Sequence, residues 1–242
     1  MSLKSTLILA VLLSNWLSVF AQKVSDTSFV ASAKKYVIDL HENSLRTQSR
    51  LYNGSRYVDP PFTSEEYPFL SSDDWVTGSV FYDGELFENI PLMYDLMNQV
   101  VVAEHFPSGH SIRLIPEKLQ WFTLEGRLFE RIENSSVQNS LPETGFYEVL
   151  YNGNTKLIAR RIKYQRERIE DRQVHYWYEP RYRYFTLLNG VYFPVKSKGS
   201  ILKLMAHKKQ EINRMLRQQG IVFGREKERA LQAIVNFYDN NQ

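Results

Sequence analysis

Four turn signals punctuate the chain: Tyr52-Asn53-Gly54, Tyr82-Asp83-Gly84, Tyr151-Asn152-Gly153 and Leu188-Asn189-Gly190, each between stretches rich in aromatic or β-branched residues. Asn-Gly and Asp-Gly tolerate the positive φ that tight hairpins need. The four places therefore predict an antiparallel meander with Gly54, Gly84, Gly153 and Gly190 in its turns. Their irregular spacing does not fit a propeller or a solenoid.

Strands are expected at Gly78 to Tyr82, Leu86 to Tyr94, Gln99 to Glu104, Ser111 to Ile115, Gln120 to Ile132, Gly145 to Tyr151, Lys156 to Ile162, Val174 to Tyr178, Tyr182 to Leu188 and Val191 to Lys196. A sheet of that size tends to curl. The polar stretch Asn134 to Glu143 reads as a loop. Helical spacing marks Ser28 to about Ser49 through Phe29, Ala33, Tyr36, Val37 and Leu40. It returns in Ile201, Leu204, Met205, Ile212, Met215 and Leu216, ended by Gly220, and in Ala230, Leu231, Ile234, Phe237 and Tyr238. The expected fold is α+β: an N-terminal helix, a curved antiparallel β-meander or half-barrel of about ten strands, and two C-terminal helices.

The first 21 residues read as a separate segment. Lys4 precedes an apolar run from Leu7 to Leu13, and Val19 and Ala21 supply the small residues of a cleavage site, so the expectation is a secretory signal peptide with a mature start at Gln22. The unbroken run is too short to cross about 30 Å of hydrocarbon, which argues against an anchor. Residues 22–242 are then one α+β domain, with the helix in 22–50, the sheet in 51–197 and the helical pair in 198–242. The chain has no cysteine, which excludes a disulfide framework, a thiolate metal site and a cysteine nucleophile. Export without disulfides or lipidation points to the periplasm or the outer-membrane periphery.

Charge is divided unevenly. Through Thr155 there are 11 Lys and Arg against 19 Asp and Glu, a net of −8, while from Lys156 onward 19 face 8, a net of +11. The basic part is where an anionic partner would bind. Within it, His175-Tyr176-Trp177-Tyr178 and Arg181-Tyr182-Arg183-Tyr184 alternate basic and aromatic residues. On a strand this period puts Arg181 and Arg183 on one face and Tyr182 and Tyr184 on the other. Arg181, Arg183, Tyr176, Trp177, Tyr182 and Tyr184 are thus the candidate ligand-binding residues, as a platform for a glycan or an anionic lipid head group. A half-buried strand is the plainer explanation of the same pattern. Envelope proteins are the other partner class, and export argues against nucleic acid.

Catalytic signals are sparse. His41, His105, His110, His175 and His207 show no metal-ligand spacing, so no metal and no cofactor are expected. Ser200-Ile201-Leu202-Lys203 matches a serine-lysine nucleophile motif, but its companion motifs are missing and Ser200 reads as a helix cap. Asp73, Asp74, Asp83, Glu85, Glu88 and Asp95 could supply a carboxylate pair for a hydrolase only if two lie within about 10 Å. Asn53 and Asn134 fit the glycosylation sequon and read as turn residues.

The block Trp75 to Gly84, continuing through Phe87-Glu88-Asn89-Ile90-Pro91-Leu92-Met93-Tyr94-Asp95, resembles a family of exported, uncharacterised proteins of the Bacteroidota. Leu51 to Gly54, Gly145-Phe146-Tyr147, Leu150-Tyr151, Ala159-Arg160-Arg161 and the ending Phe223 to Asp239 are similar as well. The resemblance implies export and a single domain, and carries no activity or site residues. The functional expectation is a non-catalytic binding or structural protein of the cell envelope. Its alternatives are a periplasmic carrier or sensor of an apolar or anionic lipid-like ligand, and a carboxylate-dependent hydrolase.

Overall fold

The computed structural model describes residues 30–36, 50–58, 66–105, 108–134, 142–170 and 172–241. Two units are distinguished, Met1–Ser49 and Arg50–Gln242. In the first, residues 30–36 are helical (α1). The expected signal peptide and the remainder of the expected first helix lie outside the described residues.

The second unit holds ten antiparallel strands: β1 (Val76–Tyr82), β2 (Glu85–Asp95), β3 (Val100–His105), β4 (His110–Arg113), β5 (Leu119–Leu124), β6 (Arg127–Ile132), β7 (Gly145–Asn152), β8 (Lys156–Glu170), β9 (Gln173–Leu188) and β10 (Val191–Pro194). Helices α2 (Lys198–Leu204), α3 (Lys209–Gln218) and α4 (Lys227–Asn240) follow. The fold is α+β, with an N-terminal helix and a C-terminal helical layer. The pair is formed by α3 and α4; the stretch expected to be continuous from Ile201 is broken after α2 by a 3-10 turn at Ala206–Lys208.

Several expectations about turns and strands change. Asp83-Gly84 and Asn189-Gly190 do form hairpin turns with both residues at positive φ. Glu125-Gly126 does the same, at φ 54° and 71°, and splits the expected strand Gln120 to Ile132 into β5 and β6. Glutamate is a poor residue for that conformation, which hid the turn. Conversely, the two strands expected on either side of Pro180 are one strand, β9. Pro180 is tolerated because β10 pairs only with Phe185 to Leu188, so β9 is an edge there. Gly54 and Gly153 are not at positive φ. Gly54 follows a 3-10 turn, Arg50–Tyr52, and a Cβ on it would lie 1.8 Å from the Arg113 carbonyl oxygen, so close backbone approach explains that glycine.

Strand order is β10-β9-β8-β7-β6-β5-β1-β2-β3-β4. The sheet is therefore two meanders joined where β5 pairs with β1. Fully extended, the chain from Arg113 to Leu119 would reach about 20 Å, barely the separation of about 19 Å between β4 and β5 in a flat sheet. A 3-10 turn at Pro116–Lys118 shortens that reach, so the sheet must curl. The β2–β3 turn also bonds to β8: Lys163 N–H donates to Leu96 O at 3.1 Å and Gln99 Nε2 to Arg161 O at 2.9 Å. The sheet remains open, ending in β10 and β4.

The curled interior is filled. Tyr94 meets Phe122, Phe129 and Phe146 edge-on at 5.1, 5.4 and 6.2 Å, and Phe122 stacks on Phe129 at 4.7 Å. Val80, Leu92, Leu114 and Leu119 complete this core. On the β8 and β9 end of the same face, Leu157, Ala159 and Tyr184 pack under Ile212, Met215 and Leu216 of α3 and Ala230, Leu231, Ile234, Val235 and Tyr238 of α4. The spacing of those helical residues is what buries one stripe of each helix. A third cluster, Tyr57, Phe69, Met93, Val100 and Val102, covers the reverse of β2 and β3.

Candidate binding face

β8 and β9 are paired without interruption from Lys156↔Leu187 to Glu170↔Gln173. The sheet's other strands support only the base of this ribbon. Beyond Lys163, β8 has β9 as its one strand neighbour, and residues 164–169 are all exposed. Two strands alone are marginally stable in water, and on β9 the Tyr178 N–H donates to Glu66 Oε2 at 2.8 Å.

The register decides what each face carries. Arg160↔Arg183, Ile162↔Arg181, Tyr164↔Glu179, Arg166↔Trp177 and Arg168↔His175 share the outer face. Five arginines and a histidine thus alternate with Tyr164 and Trp177, which are 41% and 38% exposed. From Arg160 to Arg168 the strip is about 26 Å long. Among the described residues, Glu179 and Glu143 are the acids that pair with it. Glu179 pairs with Arg166 at 2.9 Å and with Arg181. Glu143 accepts from Arg160, and from Arg183 at 3.1 Å.

At the base, the Arg160 charge is the main reason the Glu143 carboxyl is held below its usual range. Arg160 lies over the Tyr147 ring at 5.8 Å. Burial pushes the Tyr147 phenol up to about 12, with the Arg160 charge opposing. The Arg160 Nε is buried without a hydrogen-bond partner among the described residues.

Of the residues singled out from the sequence, Arg181, Arg183 and Trp177 lie on this face. Tyr176, Tyr182 and Tyr184 lie on the opposite one, as the period of two requires. Tyr184 is buried under the helices and donates to Glu228 Oε1 at 2.7 Å. Tyr182 sits beneath the Arg161 guanidinium at 4.6 Å. Arg160, Tyr164, Arg166 and Arg168 were missed, although the same alternation runs through them in the sequence; the adjacent Arg161, Lys163 and Glu167 obscured it.

The inner face carries a second charged constellation. Glu148 accepts from Arg127 Nε at 2.8 Å and Nη2 at 2.6 Å, and from Arg161 Nε at 2.6 Å. Arg161 also reaches both oxygens of Glu228 on α4. Burial would raise the Glu228 carboxyl, but hydrogen bonds from Arg161 and Tyr184 and the Arg161 charge hold it below its usual value. Burial, the Glu228 hydrogen bond and its charge push Tyr184 up. Two guanidiniums balance two carboxylates here, and both carboxylates are occupied.

Several of the residues considered for chemistry are engaged in other roles. Asp95 is fully buried and accepts from Tyr57 Oη at 2.7 Å, Met97 N at 2.8 Å, Asn98 N at 2.9 Å and Asn98 Nδ2 at 2.6 Å. Asp83 pairs with Lys118 at 3.0 Å. His105 and His110 face each other across the β3–β4 turn, with His105 Nδ1 2.6 Å from Ser108 Oγ. Ser200 is the third residue of a capping box with Ser197, accepting from Ser197 N at 3.1 Å. Among the described residues no three His, Asp or Glu side chains are grouped to hold a metal ion. No protein-family model, curated protein or solved structure matches this chain.

Proposed function

We propose that this is a non-catalytic binding protein of the cell envelope that takes an anionic glycan along the outer face of the β8–β9 ribbon. Export, read from the N-terminal segment, and the likeness to exported Bacteroidota proteins are premises of this reading. The observation that carries it is the alternation of five arginines with exposed Tyr164 and Trp177 on one face of the β8–β9 ribbon. Aromatic rings stack on the apolar faces of sugar rings, and guanidiniums pair with carboxylate or sulfate groups in a two-pronged geometry. The filled interior, centred on Tyr94, disfavours a carrier of an apolar ligand, and the engagement of the buried carboxylates Asp95 and Glu148 disfavours a hydrolase built on them.

The test is titration of the protein with polygalacturonate and with neutral dextran at rising salt. The expected result is binding of the acidic polymer alone, weakening as salt screens the exposed charges. The double variant Arg181→Ala, Arg183→Ala and the single variant Trp177→Ala should each weaken it by about tenfold. Binding indifferent to salt and to these changes would overturn the proposal.

A further inference from the structure

A second basic feature lies apart from the ribbon. Between Lys196 and Gly220 the chain carries seven Lys and Arg against one acid, Glu211. That acid is engaged by Lys208 at 3.5 Å. Ile212, Met215 and Leu216 turn one stripe of α3 to the core, so the opposite stripe presents Gln210, Asn213, Arg214 and Arg217. These four residues and Lys198, at the start of α2, line a groove of about 500 Å³.

The groove has an unusual balance. Three cations line it and no carboxylate does. Lys198, Arg214 and Arg217 make no ion pair among the described residues, whereas Arg127, Arg160, Arg161, Arg166, Arg181 and Arg183 are all paired. Lys198 is half-buried in that unpaired state. Like charges brought together repel one another unless an anion joins them, and two arginines one helical turn apart can each offer a forked pair of donors to one anionic group. Gln210 and Asn213 add neutral amides beside them. Asn213 is fixed in place by the bond from its Nδ2 to Lys209 O at 2.8 Å.

We infer that the α2–α3 groove is a binding site for a phosphate-bearing group, held by Lys198, Arg214 and Arg217. Phosphate offers several oxygens to the three cations that line the groove, which a single carboxylate does not. The site is separate from the ribbon face and does not depend on the glycan reading. The same chemistry is presented by a soluble phosphate and by a phospholipid head group.

Two experiments on the full chain test it. In the first, inorganic pyrophosphate is titrated calorimetrically into the wild type, Arg214→Ala, Arg217→Ala, and the double variant Arg181→Ala, Arg183→Ala. In the second, the same proteins are sedimented with vesicles of phosphatidylglycerol or of phosphatidylcholine. Arg214 and Arg217 are exposed, so both variants should keep the wild-type circular dichroism spectrum. The expected result is binding of at least one phosphate probe, reduced about tenfold or more in each groove variant and unchanged in the ribbon variant. Pyrophosphate binding identifies a soluble ligand; binding confined to phosphatidylglycerol vesicles identifies a lipid head group. Binding of neither probe, or binding that survives both groove substitutions, overturns the inference.

Discussion

Arg161 on β8 and Glu228 on α4 are joined fork to fork, with Arg161 Nη2 2.9 Å from Glu228 Oε2 and Nη1 bonded to Oε1. The same guanidinium gives its Nε to Glu148 and lies over Tyr182. One side chain thus ties the helical layer to the sheet, at the boundary between two apolar clusters.

Arg161→Ala should be among the most damaging single changes. It leaves Glu148, whose side chain is 8% exposed, with Arg127 alone, and removes the main partner of Glu228. Breaking a buried pair from one side costs about 3–5 kcal/mol. Urea unfolding monitored by tryptophan fluorescence measures it, and a loss below about 1 kcal/mol would show that the clamp is dispensable.

The pH dependence follows from Glu228. Its folded value is depressed, so its contribution is complete above the unfolded value of 4.5 and is lost as pH falls through the lower folded value. Glu143 is shifted in the same direction by Arg160 and adds to the slope. The urea midpoint should fall between about pH 6 and about pH 3, and Glu228→Gln should flatten that fall. An unchanged slope in the variant would assign the acid sensitivity elsewhere.

Two glycines should respond unequally to alanine. At Gly78 the new Cβ would stand 2.2 Å from the Thr123 carbonyl oxygen, so β1 and β5 must separate. At Gly84 there is open space and only the positive φ of 82° opposes it. Gly78→Ala should cost about 3 kcal/mol and Gly84→Ala about 1 kcal/mol. Equal costs, read from thermal or urea unfolding, would contradict the close approach of the two strands.

Hydrogen exchange should divide β8. The amides of Leu157 to Ala159 lie between β7 and β9, while those from Arg166 to Ile169 have β9 as their strand neighbour among the described residues. The outer stretch should exchange faster by at least about tenfold. Uniform protection along β8 would mean that something else covers the ribbon in solution.

What could be read from the sequence follows physical lines. The Asp83-Gly84 and Asn189-Gly190 turns were legible because the residue types themselves prefer the required φ, and the helices because their apolar stripes repeat at helical spacing. Glu125-Gly126 was not legible, since a glutamate at positive φ is imposed by the strands around it. The expected strand stopped at Ile162, and only pairing with β9 makes Arg166 and Arg168 strand residues. The charge split pointed to the part after Lys156, but the faces depended on register. Nothing local placed Glu228 opposite Arg161, 67 residues away.

The pairing of β1 with β5 also sets an order on assembly. Ser79 meets Thr123 across 44 intervening steps of chain, whereas β1 with β2 and β8 with β9 close through short turns. Long closures are slow and costly in entropy, so local hairpins form first. During synthesis the first meander can be complete while the far edge of β1 still waits for β5. For that interval the chain displays an open strand edge, a template for pairing with another unfinished copy. The strand that makes the sheet continuous is therefore the one whose late arrival exposes the nascent protein to aggregation.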